Sequence, residues 1–219
     1  MHMKEIKPTP EPTIRRLPKY LHFLQVLQQQ NVTSVSSTRI ARELGFDSTQ
    51  VRKDIEVTSL VGRPKTGYDV NELIDAIMAH LNWNNTTDAF LAGAGNLGSA
   101  LVGYQTFKSY GLNIIAAFDN DETKIGKEIF GVSILDTRKL TELAQRMHVH
   151  IGIITVPVEY AQKVADDMVD GGIKAIWNFA STKVSVPEDV IIENAQLSLS
   201  LAVLSRKLRE KNELKDHSI

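Results

Sequence analysis

The chain has 219 residues, enough for two ordinary domains, and its hydrophobic fraction of 42% and charged fraction of 23% are those of an ordinary soluble globular protein. No apolar run approaches the roughly 18 residues that a membrane span needs. It contains no cysteine, which excludes disulfides, thiolate metal sites and thiol-based redox sensing and indicates a cytoplasmic location. The net charge of −1 is unevenly distributed. Residues 1–70 contain 11 basic and 7 acidic residues, whereas the remainder contains 14 basic and 19 acidic residues. This asymmetry suits a nucleic-acid-binding module on an acidic body, but random scatter explains it equally well.

The first predicted elements are two helices. Leucines recur at helical spacing over residues 13–30, with Pro18 expected in or near the first turn. Ser36 and its neighbour are typical caps for a short helix over residues 38–44, which Gly45 would close.

A third helix is expected to begin after Asp47, because this residue is a good N-cap and Gln50 follows in capping-box position. The apolar pattern predicts that it runs to about Leu60. Residues 61–70 then combine glycine, proline and basic residues, which indicates a turn with positive charge at its tip. A further amphipathic helix would follow with Asn71 as its cap.

This order of elements is that of a winged helix-turn-helix domain, which we predict for residues 1–82. In such domains the second helix of the motif enters the major groove of DNA with its N-terminal residues first. A small helical domain with a solvated face is the alternative. The predicted DNA contacts are Arg15, Ser36, Ser48, Thr49, Gln50, Arg52, Lys53, Arg63 and Lys65.

After a polar linker at residues 82–87, apolar strands alternate with helices, which predicts a doubly wound parallel sheet of the Rossmann type over residues 88–194. A helix is expected from the glycine-rich loop to about Tyr110. The last segment, 195–219, should hold a helix to about Lys211 whose first half is apolar and must pack on something. The predicted strands are residues 89–92, 114–118, 132–135, 151–156 and 175–179.

A dinucleotide-binding pattern lies between the first two of these strands. In Gly-x-Gly-x-x-Gly, Gly93 would make the tight turn, Gly95 would admit the pyrophosphate, and Gly98 would let helix and sheet pack closely. Asp119 ends the next strand, where it can accept hydrogen bonds from the adenosine ribose and repel a 2′-phosphate, so NAD(H) is predicted over NADP(H). The nearby Lys124 opposes that preference, and a Rossmann fold with an empty site is the alternative interpretation.

The rest of this cleft should come from the carboxyl ends of later strands, which offer few titratable groups for catalysis. His148 and His150 lie before a strand, at the end of the sheet away from the cleft, so we predict no catalytic residue and no metal. An NAD(H)-dependent oxidoreductase with an appended helical domain is the alternative. The predicted cofactor contacts are Gly93, Ala94, Gly95, Asn96, Leu97, Gly98, Asp119, Asn120, Lys124, Thr155, Val156, Pro157, Asn178, Phe179 and Ala180.

Seven motifs together resemble the Rex family of redox-sensing transcriptional repressors. They are residues 14–18, 35–37, 50–54, 67–70, 93–98, 116–119 and 177–180. The resemblance implies a homodimer in which each subunit has a winged helix and a Rossmann domain, and the C-terminal helix swaps across to the partner. It also implies that NADH releases the protein from operator DNA.

The chain departs from the family pattern at two places. Residues 56–62 replace a Ser-Tyr-Phe-Gly-Glu-Phe-Gly segment, and the wing lacks one arginine of the family. The swapped helix of the family carries an aspartate that pairs with a tyrosine or an arginine. Those two residues match Tyr104 and Arg16, whereas the aspartate position holds Gln196, and these three are the predicted switch residues. A DNA-binding protein without ligand control is therefore a third interpretation.

Overall fold

The computed structural model describes residues 8–195 and 197–216. The chain divides into two compact units. The first comprises Met1–Asn85 with Ser109–Gly111, and the second comprises Thr86–Lys108 with Leu112–Ile219.

In its described part, from residue 8 onward, the first unit consists of four helices and a two-stranded antiparallel sheet. Its elements are α1 (Glu11–Gln29), β1 (Ser34–Val35), α2 (Ser37–Leu44), α3 (Ser48–Glu56), β2 (Tyr68–Asp69) and α4 (Val70–His80). The buried side chains of all four helices form one core, which includes Leu17, Leu21, Leu24, Ile40, Val51, Ile55, Leu73 and Ile77. The hairpin that ends in β2 turns at Lys65, whose φ is +65°, and pairs Arg63 with Gly67.

The helix caps of the helix-turn-helix segment agree with the sequence. The Ser36 hydroxyl accepts a hydrogen bond from the Arg39 amide, and Gly45 ends α2 in the left-handed conformation. The Asp47 carboxylate accepts from the amides of Thr49 and Gln50 at the start of α3. These bonds satisfy backbone donors that the first turn of a helix leaves unpaired.

Three boundary predictions in the first unit were wrong. Pro18 lies inside α1, because the helix already begins at Glu11. The predicted extension of α3 to Leu60 fails because Ser59 adopts φ +65°, which a right-handed helix cannot contain. The cap of α4 is Asp69, whose carboxylate accepts from the two amides that follow Val70, and Asn71 is already helical.

Within the described residues, the second unit is a sheet of seven strands with helices on its faces. The sequence predicted the doubly wound parallel sheet and five of these strands. Its strands are β3 (Thr87–Ala92), β4 (Leu112–Asp119), β5 (Glu128–Ile129), β6 (Val132–Asp136), β7 (Ile151–Ile154), β8 (Ala175–Asn178) and β9 (Ile191–Asn194). Its helices are α5 (Asn96–Val102), α6 (Thr106–Ser109), α7 (Leu140–Met147), α8 (Val158–Asp170) and α9 (Leu197–Asp216), and a 3₁₀ turn spans Thr137–Lys139.

The strand order is β5-β6-β4-β3-β7-β8-β9, and every neighbouring pair is parallel except β5 with β6. The order reverses on the two sides of β3, so a crevice opens where the carboxyl ends of β3 and β7 diverge toward their helices. Open α/β sheets bind ligands at this position.

Three features of the second unit differ from the sequence prediction. The helix expected to reach Tyr110 is broken after Val102 into α5 and α6. The edge strands β5 and β9 were missed because they are short and exposed and therefore lack a clear apolar pattern. The helix α9 extends to Asp216, five residues beyond the expected end.

The apolar side chains in the first half of α9 are exposed within this chain. Their exposed fractions lie between 55% and 65% for Leu199, Leu201, Val203, Leu204 and Leu208. Leu201, Leu204 and Leu208 lie on one side of the helix and Leu199 and Val203 on the opposite side, so this part of α9 exposes apolar surface nearly all round. Exposed apolar surface of this extent marks an interaction surface.

Candidate functional site

A cleft of about 1120 Å³ lies at the carboxyl ends of the parallel strands of the second unit. Most of the predicted cofactor residues line it. They are Gly93, Gly95, Leu97, Asp119, Asn120, Lys124, Thr155, Val156, Pro157, Phe179 and Ala180.

The glycine-rich loop between β3 and α5 has the geometry that a close approach of a ligand requires. Gly93 has φ +103°, and a Cβ there would lie 2.7 Å from the Thr155 carbonyl carbon. A side chain at Gly98 would collide with the carbonyl oxygen of Gly93. By contrast, no atom lies within 4 Å of the position of a Cβ at Gly95, which therefore faces open space in the cleft. The outer two glycines thus serve packing, and the middle one leaves room for a ligand.

Thr155 ties the end of β7 to this loop. Its hydroxyl lies 2.9 Å from the carbonyl oxygen of Ala92 and 2.8 Å from that of Gly93. The next two residues, Val156 and Pro157, line the cleft with apolar surface. The end of β7 is therefore held against the glycine loop, and the two residues after it are apolar, although Lys163 and Asp167 of the following helix also line the cleft.

Asp119 ends β4 at the floor of the cleft and is 8% exposed. Its Oδ2 accepts from the Ala94 amide at 2.8 Å and from the Lys124 ammonium at 3.1 Å, and its Oδ1 accepts from the Asp121 amide at 2.9 Å. The hydrogen bond to Asp119 raises the pKa of Lys124. The carboxylate is therefore fixed against the glycine loop and partly neutralised by a cation.

Four of the predicted cofactor residues do not line the cleft. Ala94, Asn96 and Gly98 belong to the glycine loop but are not among the residues that line the cleft. Asn178 is fully buried, and its amide donates to the Thr182 carbonyl and to Asn194, while its oxygen accepts from the Ala180 amide. Asn178 thereby holds the turn that presents Phe179 and Ala180.

The cleft also contains residues that the sequence reasoning missed. The rule that ligand residues follow parallel strands would have found the group at the end of β6, but it was applied only to the other strands. The residues on α7 and α8 face the cleft through helix packing, for which the sequence gives no local signal. The missed residues are Asp121, Glu122, Ile125, Asp136, Thr137, Arg138, Thr141, Val158, Tyr160, Lys163, Val164, Asp167 and Ser181.

The helix α3 separates its side chains as a recognition helix does. Val51 and Ile55 are fully buried in the core of the first unit. The neighbouring polar and basic side chains face solvent, apart from Ser48, which is half-buried. The exposed ones are Thr49, Gln50, Arg52 and Lys53.

The other predicted DNA contacts lie on three further elements of the first unit. Arg15 on α1 is exposed and pairs with Glu11 at 2.8 Å. Ser36 uses its hydroxyl as the cap of α2. In the hairpin, Arg63 pairs with Glu72 at 3.1 Å and Lys65 is exposed at the tip.

The predicted switch residues have different surroundings. Arg16 forms an ion pair with Asp54 of α3, with 2.6 Å between Nε and Oδ2. Tyr104 is 52% exposed, and its ring contacts that of Phe107 edge-on with 4.9 Å between the centroids. Gln196 lies outside the described residues.

Within residues 8–195 and 197–216, no group of three or more histidine, cysteine, aspartate or glutamate side chains is arranged to hold a metal ion. In the same part of the chain, no helix has the length and hydropathy to cross a bilayer.

Comparison with known protein families divides the chain in the same way as the fold. Residues 9–56 match the family described as "Putative DNA-binding protein N-terminus", and residues 84–182 match the family described as "CoA binding domain". The first match covers α1 to α3, and the second covers β3 to β8 with the glycine loop and Asp119.

Curated relatives match nearly the whole chain. The redox-sensing transcriptional repressor Rex of Treponema denticola is 46% identical over 200 residues, which are 91% of this chain and 95% of that protein. The protein of the same name from Bacteroides thetaiotaomicron is 42% identical over 206 residues, 94% and 93% of the two chains. These relatives are named as regulators of transcription and not as enzymes.

Solved structures agree with the sequence relatives. The Rex-family repressor RSP in complex with β-NAD⁺ and operator DNA matches with a TM-score of 0.88 and 35% identity over 96% of this chain and 97% of that one. RSP in complex with β-NADH matches with a TM-score of 0.87 and 35% identity over 96% and 99% of the two chains. The chain belongs to the Rex family of redox-sensing transcriptional repressors.

Proposed function

We propose that this protein binds operator DNA as a homodimer and is released from it when NADH occupies the cleft of the second unit. The observation that carries the proposal is the combination in one chain of a dinucleotide cleft and a helix whose polar and basic side chains face solvent. Its membership of the Rex family supports the same interpretation, as do the solved complexes of RSP with both nucleotides and with DNA.

The ligand of the cleft is NAD(H), with no metal. The pyrophosphate lies over Gly95, where open space and the backbone N–H groups of the loop receive an anion. The adenosine ribose donates to Asp119, whose Oδ1 accepts one hydrogen bond within the described residues and retains capacity for another. This carboxylate also repels the 2′-phosphate of NADP(H), an effect that Lys124 weakens.

Reduced nicotinamide is favoured over oxidised nicotinamide by the nature of the cleft wall. The oxidised ring carries a positive charge and the reduced ring is neutral. Val156, Pro157 and Phe179 offer apolar surface, and the swapped α9 of the partner would close the pocket over the ring. Removing a cation from water into such a pocket is costly, so the pocket prefers NADH without a contact to the transferred hydride.

The DNA is read by α3. Ser48, Thr49 and Gln50 at its N-terminus reach the base edges, and Arg52 and Lys53 meet phosphates or guanine. Arg15, Ser36, Arg63 and Lys65 contact the backbone on either side of the groove. The winged-helix domain occupies residues 1–82, the Rossmann domain 88–194, and the swapped helix and tail 195–219.

The exposed aliphatic side chains of α9 support the dimer, because all five of them need a surface to cover them. Two recognition helices then contact successive major grooves, which are about 34–36 Å apart. NADH closes the dimer and moves the helices off this spacing. A 100-fold preference of NADH for the closed arrangement supplies about 2.7 kcal/mol for this change. The protein works in the cytoplasm, where it responds to the ratio of NADH to NAD⁺.

The test is a titration of the purified protein onto DNA that it has selected from a random-sequence pool, in the presence of NADH, NAD⁺ or neither. We expect NADH to weaken binding by about tenfold or more, and NAD⁺ to weaken it much less. DNA binding that is indifferent to both nucleotides would contradict the proposal. Turnover of NADH with 2-keto acids or aldehydes would support an oxidoreductase in its place.

A further inference from the structure

A buried polar cluster joins the recognition helix to the first helix of the chain. Its centre is Asp54 on α3, whose side chain is 4% exposed. Three side chains of α1 surround it, and they lie on one face of that helix because they are three and four residues apart. They are Thr13, Arg16 and Tyr20.

The Asp54 carboxylate accepts four hydrogen bonds from these three side chains. Oδ1 accepts from the Thr13 hydroxyl and from Arg16 Nη2, both at 2.8 Å. Oδ2 accepts from Arg16 Nε at 2.6 Å and from the Tyr20 hydroxyl at 2.7 Å. An ionised carboxylate has about four lone-pair positions, so Asp54 is fully satisfied and has none left for DNA or for another side chain.

This contact has a direction that apolar packing lacks. The guanidinium meets the carboxylate through two parallel N–H donors, a planar arrangement that fixes both the distance and the orientation of the two groups. Val51 and Ile55 pack α3 onto the same core, but such contacts tolerate small slides and rotations. Asp54 directly follows Lys53, one helical turn beyond Gln50, so its orientation determines where the reading face points.

Tyr20 also reaches the turn that precedes α3. Its ring contacts that of Phe46 edge-on, with 5.7 Å between the centroids, and the Lys19 ammonium lies 5.6 Å from the Phe46 ring centre. One segment of α1 therefore fixes both the entry into the recognition helix and its middle.

We infer that Asp54 is a positioning residue for sequence-specific DNA recognition, and that Arg16 and Tyr20 hold the recognition helix in its reading orientation through it. The inference rests on the proposed function, because it needs α3 to read DNA. It also gives Arg16 a partner within its own subunit, in addition to the switch role that the family resemblance implies.

The experiment compares Asp54→Asn and Tyr20→Phe with the unaltered protein. The asparagine side chain keeps the shape of the aspartate but has one acceptor oxygen and an amide that faces donors, so the cluster must rearrange. Tyr20→Phe removes one hydroxyl and keeps the ring. Both variants are titrated onto the selected operator and onto random-sequence DNA of equal length, and NADH binding is measured by calorimetry. The matched control is Asp75→Asn, an exposed aspartate on α4.

We expect Asp54→Asn to reduce operator affinity by about tenfold or more, because a turned helix loses base contacts, and Tyr20→Phe to reduce it by a smaller factor. Affinity for random DNA should change much less, because phosphate contacts tolerate a small rotation. The NADH affinity of both variants should equal that of the unaltered protein, and Asp75→Asn should change neither DNA affinity nor NADH affinity. Equal losses on both DNAs, or an unchanged operator-to-random ratio in Tyr20→Phe and Asp54→Asn, would overturn the inference. Failure of the unaltered protein to prefer its operator would instead refute the proposed function.

Discussion

The two units of the protein each hold an aspartate against a neighbouring element, and the two aspartates differ in what they leave available. Asp54 on α3 is surrounded by side chains that occupy all its acceptor positions. Asp119 in the cleft is fixed by two backbone amides and one lysine, and it still faces open space.

On the proposed function, this difference separates a structural carboxylate, Asp54, from a ligand-binding one, Asp119. A buried charge without partners is costly, so both residues need donors. Where side chains fill every position, the group can only hold the fold. Where backbone donors fix it from one side, the remaining capacity is directed at a ligand. We therefore expect changes at Asp54 to affect folding and DNA reading, and changes at Asp119 to affect nucleotide binding.

The largest effect is expected for Asp54→Ala. The change leaves the Arg16 guanidinium, which is 17% exposed, without its counter-charge. The free energy of unfolding of the first unit should fall by about 3 kcal/mol, the lower end of the range for a broken buried pair. Hydrogen exchange of the α1 and α3 amides measures it. Exchange in the second unit should not change, and an equally stable first unit would refute the assignment.

A smaller effect is expected for Asp119→Ala. Loss of the ribose contacts should weaken NADH binding by about 1–3 kcal/mol, and loss of the charge should reduce the preference for NADH over NADPH. Calorimetric titration with both nucleotides checks this. Glu128→Gln, which removes an exposed charge on β5 outside the cleft lining, serves as the control and should have little effect. If the selectivity of Asp119→Ala equals that of the unaltered protein, the role given to this carboxylate is wrong.

Acid should destabilise the first unit through Asp54. Burial alone would raise the pKa of Asp54, but hydrogen bonds from Arg16, Tyr20 and Thr13 together outweigh it, so the pKa lies below its ordinary value of 3.8. Its stabilisation is therefore complete above pH 3.8 and is lost as the pH falls toward the folded pKa. The loss should be smaller than in Asp54→Ala, because a protonated carboxyl keeps some hydrogen bonds. Between about pH 2 and 6, the free energy of unfolding should change less with pH in Asp54→Ala than in the unaltered protein. The same pH dependence in both proteins would contradict the prediction.

The smallest effect is expected for Lys53→Ala. Lys53 is exposed, and one lost phosphate contact should lower the slope of log affinity against log salt by about one. The loss should be the same on operator and random DNA, in contrast to that of Asp54→Asn. Titrations at several salt concentrations measure the slope. Unchanged affinity would remove Lys53 from the interface.

Much of the fold was predictable because its signals are local. Ser36, Asp47 and the glycine loop carry their structural roles within a few residues, and the buried strands are continuous apolar runs. The same local rules placed Asp119 at the end of β4. They failed at the exposed edge strands β5 and β9, and at the end of α3, where Ser59 adopts a conformation that its residue type does not indicate.

The partners of Asp54 could not be predicted because they come from far along the chain. Thr13 and Tyr20 are 41 and 34 residues away, and only the packing of α1 on α3 brings them together. Asn178 shows the reverse case, since its position after a buried strand suggested a ligand contact and the structure uses its amide to hold a turn. The spacing of residues along the sequence indicates neither the partners of Asp54 nor the structural role of Asn178.

The coupling between the two units is tested most directly by the affinity of the protein for NADH in the presence and absence of saturating operator. If NADH releases the protein from DNA, linkage requires the operator to weaken NADH binding by the same factor. We predict that both factors are about tenfold or more and agree with each other. An NADH affinity that does not change when the operator is bound would contradict the account.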